Sequence, residues 1–170
     1  SGLSGYSMQH SDTGGYLSAE ALGVTRDGEL FQRWAELNAF TALFRLHSTN
    51  QPEVNHQWNT DEATKAHLVS MVKIYAALAP YRATLFVDSE TDGSPVVRPL
   101  FWSYPDDIAT WDIKDQFLLG ANILVAPVMT QGATERTLYL PSGNWVHGPT
   151  GETYTGPGTI TVDAPVGQPP

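Results

Sequence analysis

Two hydrophobic rhythms run along the chain. In the first segment, SGLSGYSMQHSDTGGY, apolar Leu3, Tyr6 and Met8 fall among polar residues. This pattern predicts a strand ending at His10–Asp12, closed by a Gly14-Gly15 turn. A strand that ends in polar residues and then glycine has the form of one opening onto a site in an α/β fold. Asp27 is placed to cap a helix from Gly28, and Leu30, Phe31, Trp34, Leu37 and Phe40 recur at helical spacing through Phe44. The short run Phe44–Ser48 predicts a second strand ending in His47, followed by a polar loop to Asn59. Asp61 and Glu62 then suit the first turn of a helix bearing His67, Leu68, Met71, Val72, Tyr75 and Leu78. Pro80 breaks that helix, and a further helical run, Tyr81 to Val87, ends in the turn DSETDGSP.

The rhythm then changes. Val96–Trp102, Asn122–Val128, Arg136–Leu140, Asn144–His147 and Thr159–Ala164 are short β-rich runs separated by PSG, PTG and TGPG turns. This predicts an antiparallel β-sandwich. The boundary is expected near Pro105, giving domains 1–105 and 106–170. The first part has the strand–helix–strand–helix order of a parallel α/β fold. Two such units cannot close a barrel, which takes eight, and alone they leave sheet edges bare. The expected fold is therefore α/β plus all-β: the last two βα units of a (β/α)8 TIM barrel, followed by an antiparallel β-sandwich. The first residue is Ser, not Met, so the chain is expected to be cut from something longer.

Composition narrows the function. The 170 residues are 41% hydrophobic and 16% charged, as in ordinary globular domains. A net charge of −9 argues against nucleic-acid or anionic-membrane partners, which need basic patches. The absence of cysteine removes disulfides and thiolate sites and is compatible with a reducing cytosol without fixing the compartment; with no signal peptide in the first residues, a cytoplasmic location is expected. No apolar run is long enough to span a membrane.

The candidate chemistry gathers at the two strand ends. Asp12 should point toward a barrel mouth. There it would bind a hydroxyl or act as an acid/base group; alternatively it caps the turn or pairs with a buried arginine. His47 ends the second strand with polar neighbours; a neutral imidazole there bonds a sugar hydroxyl, or is simply structural. Tyr16 and Trp58 lie in loops, where stacking or polar contact suits them. Phe31, Trp34 and Phe40 read as core, His67 as structural, and Trp102, Trp111 and Trp145 as packing. His10, Asp12, His47 and His56 have no metal-ligand spacing, and no metal or cofactor is expected. No GxSxG, P-loop or GxGxxG occurs.

At HSDTGGY, ELFQRWAELNAFTALFRLH, RPLFWSYPDD, QFLLGANILVAPV and LYLPSGNWVH the chain resembles the barrel end and proximal β domain of family 31 α-glycosidases. The endings TGETYTG and VDAPVGQPP, with Tyr16 after the Gly-Gly turn, are similar to the sulfoquinovosidase branch. The resemblance implies a retaining enzyme whose nucleophile and acid/base precede Ser1, so no catalytic residue is expected in this chain. It implies that Asp12 orders the site, that His47 bonds sugar hydroxyls, and that Tyr16 helps hold a sulfonate through water. The implied partner is a small α-glycoside, sulfonated in that branch; the resemblance does not give an oligomeric state. Ser48-Thr49-Asn50 and Gln51-Pro52 depart from the Glu-Gly-Asn and Arg-Pro usual in that branch, and Leu46 resembles the xyloside branch. A piece of a neutral-sugar α-glucosidase or α-xylosidase, or a non-catalytic truncated module, are the alternatives.

Overall fold

In the computed structural model, which describes residues 2–170, the Asp27 carboxylate accepts the Leu30 N–H at 2.8 Å and opens helix α1 (Gly28–Asn38). A carboxylate there satisfies an otherwise orphaned donor and faces the positive helix end. Asp61 does the same for α2 (Glu62–Ala77), accepting from Thr64 N at 2.7 Å. Phe31, Ala35 and Ala39 bury their face against Leu68 and Met71 of α2. Pro80 lies in the first turn of α3 (Ala79–Asp92), where its missing N–H costs no helix bond, so the expected break is a joint at Leu78. Two bounds differ from expectation. α1 ends at Asn38, not Phe44, because the Thr41 hydroxyl donates to the Asn38 and Leu43 carbonyls and competes with a further helical turn. α3 runs on through residues 88–92, expected as a turn, until Gly93 stops it at φ 78°.

The parallel ladder is short. β1 (Asp12–Thr13) pairs with β2 (Arg45–Leu46), Asp12 opposite Arg45 and Thr13 opposite Leu46. The strand expected over Leu3–Met8 is not formed. Residues 2–4 make a 3₁₀ turn, and Gly5 at φ 83° breaks any extended backbone there.

The remainder is antiparallel. β3 (Val97–Arg98), β4 (Phe117–Leu119) and β5 (Ile123–Val125) form a sheet in that order, backed by Leu85 of α3 on Val96 and Leu119. The run expected as a strand over 96–102 turns after Pro99 into the short helix α4 (Leu100–Ser103). β6 (Glu135–Val146) and β7 (Thr153–Asp163) are one long hairpin. PSG is therefore a bulge between Leu140 and Gly143 rather than a turn between two strands. Gly156 opposite it has no room for a side chain, since a Cβ there would strike the Pro141 carbonyl. Leu138, Leu140 and Val162 bury against Ala126 beyond β5. Trp145 packs there as expected, but Trp102 and Trp111 stay 42% and 55% exposed, with Trp111 stacked on Phe101.

A buried charged knot ties the helical part to the β part. Glu36 is 3% exposed. Its Oε2 accepts from Arg33 at 3.1 Å, and its Oε1 from His67 at 3.2 Å and from Gly167 N at 2.6 Å. The Arg33 guanidinium goes on to the Ala133 and Ala164 carbonyls at 2.7 and 2.9 Å. Burial alone would raise the Glu36 pKa, but the bonds from His67, Gly167 and Arg33 outweigh it and hold the carboxyl below its ordinary value. His67 is structural, as expected. No helix among the described residues is long and apolar enough to cross a membrane.

Candidate functional site

The ends of the two parallel strands carry the predicted residues. After β1 the chain reverses through Gly14 and Gly15, with Gly15 N donating to the Asp12 carbonyl at 2.8 Å. Gly14 is required at φ 79°: a Cβ there would run into Cδ of Arg26. The parallel register sets Arg45 opposite Asp12, and the Arg45 Nε approaches Asp12 Oδ1 at 3.2 Å. The His10 Nε2 lies 3.7 Å from the same oxygen and 3.3 Å from an Arg45 terminal nitrogen. Asp12 is thus an ion-paired carboxylate, its side chain 9% exposed, and its partner is an arginine whose side chain is half exposed. Oδ1 gains charge contact without a well-aligned hydrogen bond.

Tyr16 and His47 are brought together, their ring centroids 4.4 Å apart and tilted by 40°. The Thr49 N–H donates to His47 Nδ1 at 3.0 Å. Tyr16 is 56% exposed. Trp58, the other loop aromatic, is also about half exposed.

Sequence reasoning missed the residue that assembles this rim. Arg26 is buried, and its guanidinium donates to the carbonyls of Thr13 at 3.0 Å, His47 at 3.0 Å and His56 at 2.7 Å. One group therefore fixes the ends of both strands and the following loop. Among the described residues it has no carboxylate partner; burial lowers its pKa, and it lies 5.3 Å over the Phe31 ring. Asn55 accepts from Arg26 N at 2.8 Å and donates to the Ser18 hydroxyl, while Asn50 brackets Ser18 from its other side. An arginine just before a helix-capping aspartate reads as surface, so only its three-dimensional setting reveals the role. Below the rim, Asn38 of α1 donates to Ser11 O and Thr13 Oγ1, both at 2.9 Å, and Trp34 Nε1 donates to the Ser11 hydroxyl. Trp34 is thus a strand clamp lining an apolar cavity with Leu30, Leu37 and Met129, rather than plain core.

The rim offers an aromatic face, an imidazole edge, a phenol and an ion-paired carboxylate. These are means of holding a polyhydroxylated ligand through hydrogen bonds and ring contact. Among the described residues, no group of three or more His, Cys, Asp or Glu side chains is placed to hold a metal ion.

Two family models match the chain. "Glycosyl hydrolases family 31 TIM-barrel domain" matches residues 1–85, and "Glycosyl hydrolase family 31 C-terminal domain" matches residues 93–170. A sulfoquinovosidase of Escherichia coli is 44% identical over 168 residues, covering 99% of this chain and 24% of that protein. One from Agrobacterium fabrum is 45% identical over 170 residues, covering 99% and 25%. A solved family 31 sulfoquinovosidase from E. rectale, bound to an aza-sugar inhibitor, superposes with a TM-score of 0.95 at 44% identity, again over 99% of this chain and 25% of that one. The chain spans about a quarter of the length of these relatives.

Proposed function

The chain belongs to glycoside hydrolase family 31, and on that premise we propose that it forms part of a retaining α-glycoside hydrolase acting on α-sulfoquinovosides. The observation that carries this reading is the contact of Tyr16 with His47 at the rim of a chain 44–45% identical throughout to sulfoquinovosidases. In this proposal His47 bonds hydroxyls of the sugar at the cleavage point. Tyr16 reaches its sulfonate through water, and Asp12, held by Arg45, orders the rim. Hydrolysis with retention needs two carboxyl groups about 5–5.5 Å apart, one a nucleophile and the other an acid/base. Neither role is assigned to a residue of this chain, which on its own is expected to be inactive. The two parallel strands and their helices are proposed as the closing βα units of a (β/α)8 barrel, and the antiparallel sheets as a proximal β-sandwich, joined in the stretch that ends at Pro105. The substrate is proposed to be small, soluble and anionic.

The test compares Tyr16→Phe with the parent in the full-length protein, on an aryl α-sulfoquinovoside and the matching α-glucoside. A water-bridged bond lost on the sulfonated substrate alone lowers its kcat/KM roughly two- to tenfold and leaves the glucoside nearly unchanged. Equal losses on both would refute the sulfonate role. A neutral-sugar reading is favoured by one observation. Gln51 stands where the sulfoquinovosidase branch usually has an arginine, and its side-chain oxygen accepts from the Ser18 hydroxyl and Glu20 N and brings no positive charge. A parent that cleaves only the glucoside would establish it.

A further inference from the structure

We propose that Thr49 is a positioning residue for His47. Its left-handed backbone aims the Thr49 N–H at Nδ1, which holds the neutral ring in the Nε2–H tautomer and makes it a donor to an oxygen of the bound sugar. This deepens the reading of His47 as a sugar-binding residue and rests on it.

Thr49 sits at φ 67°, a region that among the described residues is otherwise occupied only by glycine. A β-branched residue there is a true outlier, because its Cβ crowds the neighbouring carbonyl. Such a conformation persists only where the surroundings over-determine it. Here they do. Gln51 N donates to the Thr49 hydroxyl at 3.2 Å. Next door, the Asn50 carboxamide is locked to Ser18, accepting from its N–H at 2.8 Å and donating to its carbonyl at 3.1 Å. The strained residue is therefore pinned on its C-terminal side by three side-chain bonds, one of its own and two of Asn50.

The result is chemical rather than merely structural. The Thr49 N–H meets Nδ1 at 3.0 Å, and an N–H bonds only to a lone pair, so Nδ1 carries no proton. In a neutral imidazole the proton then resides on Nε2. Nε2 makes no hydrogen bond within the described chain and is not sealed from solvent. The ring is held in two further ways that leave this atom free: Arg26 grips the His47 carbonyl, and the tilted Tyr16 ring packs with its centroid 4.4 Å from that of the imidazole. His47 therefore presents a fixed donor, and the sugar atom it meets must offer a lone pair. A hydroxyl bound there has to turn its own proton toward another acceptor, so one strained backbone amide sets the polarity of the hydrogen-bond chain across the ligand.

The test uses the intact protein labelled with ¹⁵N in histidine and in the backbone, with no sugar present. His47 is identified by subtraction of a His47→Gln variant. At a pH of about 8, where an ordinary imidazole is neutral, long-range ¹H–¹⁵N spectra are expected to show an unprotonated Nδ1 and a protonated Nε2. A scalar coupling across the hydrogen bond is expected between the Thr49 amide nitrogen and Nδ1. Replacing the Thr49 amide by an ester removes the N–H and weakens the Ser48 carbonyl, whose partner is Gln57 Nε2 and not the His47 ring. This should lower the ratio of Nε2–H to Nδ1–H forms roughly two- to tenfold, the worth of one neutral hydrogen bond. Thr49→Gly keeps the N–H and should keep the tautomer. A protonated Nδ1 in the parent, absence of the coupling, or a ratio unmoved by the ester overturns the proposal. If the ester variant does not fold, the coupling in the parent still decides. Failure here leaves the sugar-binding reading standing, since that falls separately if His47→Gln leaves glycoside turnover intact.

Discussion

Glu36→Gln should be among the most damaging isosteric changes in the molecule. The carboxylate accepts three bonds from donors with no better partner: Arg33 at 3.1 Å, His67 at 3.2 Å and Gly167 N at 2.6 Å. An amide has the same shape but can turn only one oxygen toward them, so its NH₂ must face Arg33 on one side or His67 and Gly167 on the other. It also leaves the Arg33 charge buried without a counter-charge. Breaking a buried pair by removing one partner costs about 3–5 kcal/mol. Against a typical total stability of about 5–15 kcal/mol that is a large share. For a domain of this size it corresponds to a fall in melting temperature of roughly 6–20 °C. The assay is thermal unfolding of parent and variant followed by near-ultraviolet circular dichroism. The pH dependence gives an independent check. The folded-state pKa of Glu36 lies below its ordinary value, so its contribution is complete above the unfolded value of about 4.3 and is lost as pH falls through the lower folded value. The gap between parent and variant should therefore be widest near neutrality and close on the acid side. A fall of under about 2 °C, or a gap that widens with acid, would refute the reasoning.

Two further predictions bear on the rim. Arg26→Met removes three carbonyl bonds at once and should cost about 2–4 kcal/mol in urea unfolding, while Arg26→Lys should rescue little, because an ammonium cannot span three carbonyls as the planar fork does. Gly14→Ala should destabilise by more than about 2 kcal/mol and Gly15→Ala by only about 1 kcal/mol, measured the same way. Both glycines have positive φ, but only at Gly14 would the new methyl collide with Arg26.

The helices were legible because each buries one face. Phe31, Ala35, Leu68 and Met71 recur at the right spacing, and Asp27 and Asp61 open the first two helices by local chemistry; the stop of α3 at Gly93 was not legible, because residues 88–92 are rich in turn formers. The strands were legible only in part. β1 and β2 are two residues each, too short for alternation to show, and β4 is itself only the three apolar residues Phe117–Leu119. A Pro–Ser–Gly stretch reads as a turn in isolation, and only the facing Gly156 allows it to become a bulge. At the rim, Asp12 and His47 could be named from the polar residues that close two short strand patterns, although β1 begins at Asp12 instead of ending there, and Tyr16 only through the family resemblance. Which arginine Asp12 meets depends on strand register, and that is not written locally. Arg33 and Glu36 look like a solvated helical pair at i, i+3 spacing. Their burial is decided by residues 133, 164 and 167, too distant in sequence for any window to include.

That distance also orders events in time. Gly167 N reaches Glu36 across 131 residues, and Arg33 reaches Ala164 across as many. During synthesis α1 therefore emerges, and can pack on α2, long before the distant backbone groups that complete the Arg33–Glu36 pair are made. Contacts so remote carry the largest loop-closure cost and form late. The first helix is finished by the last strand's tail. Loss of the few residues after Asp163 should thus be felt most far away in the chain, as faster amide exchange in α1 rather than in the adjoining hairpin.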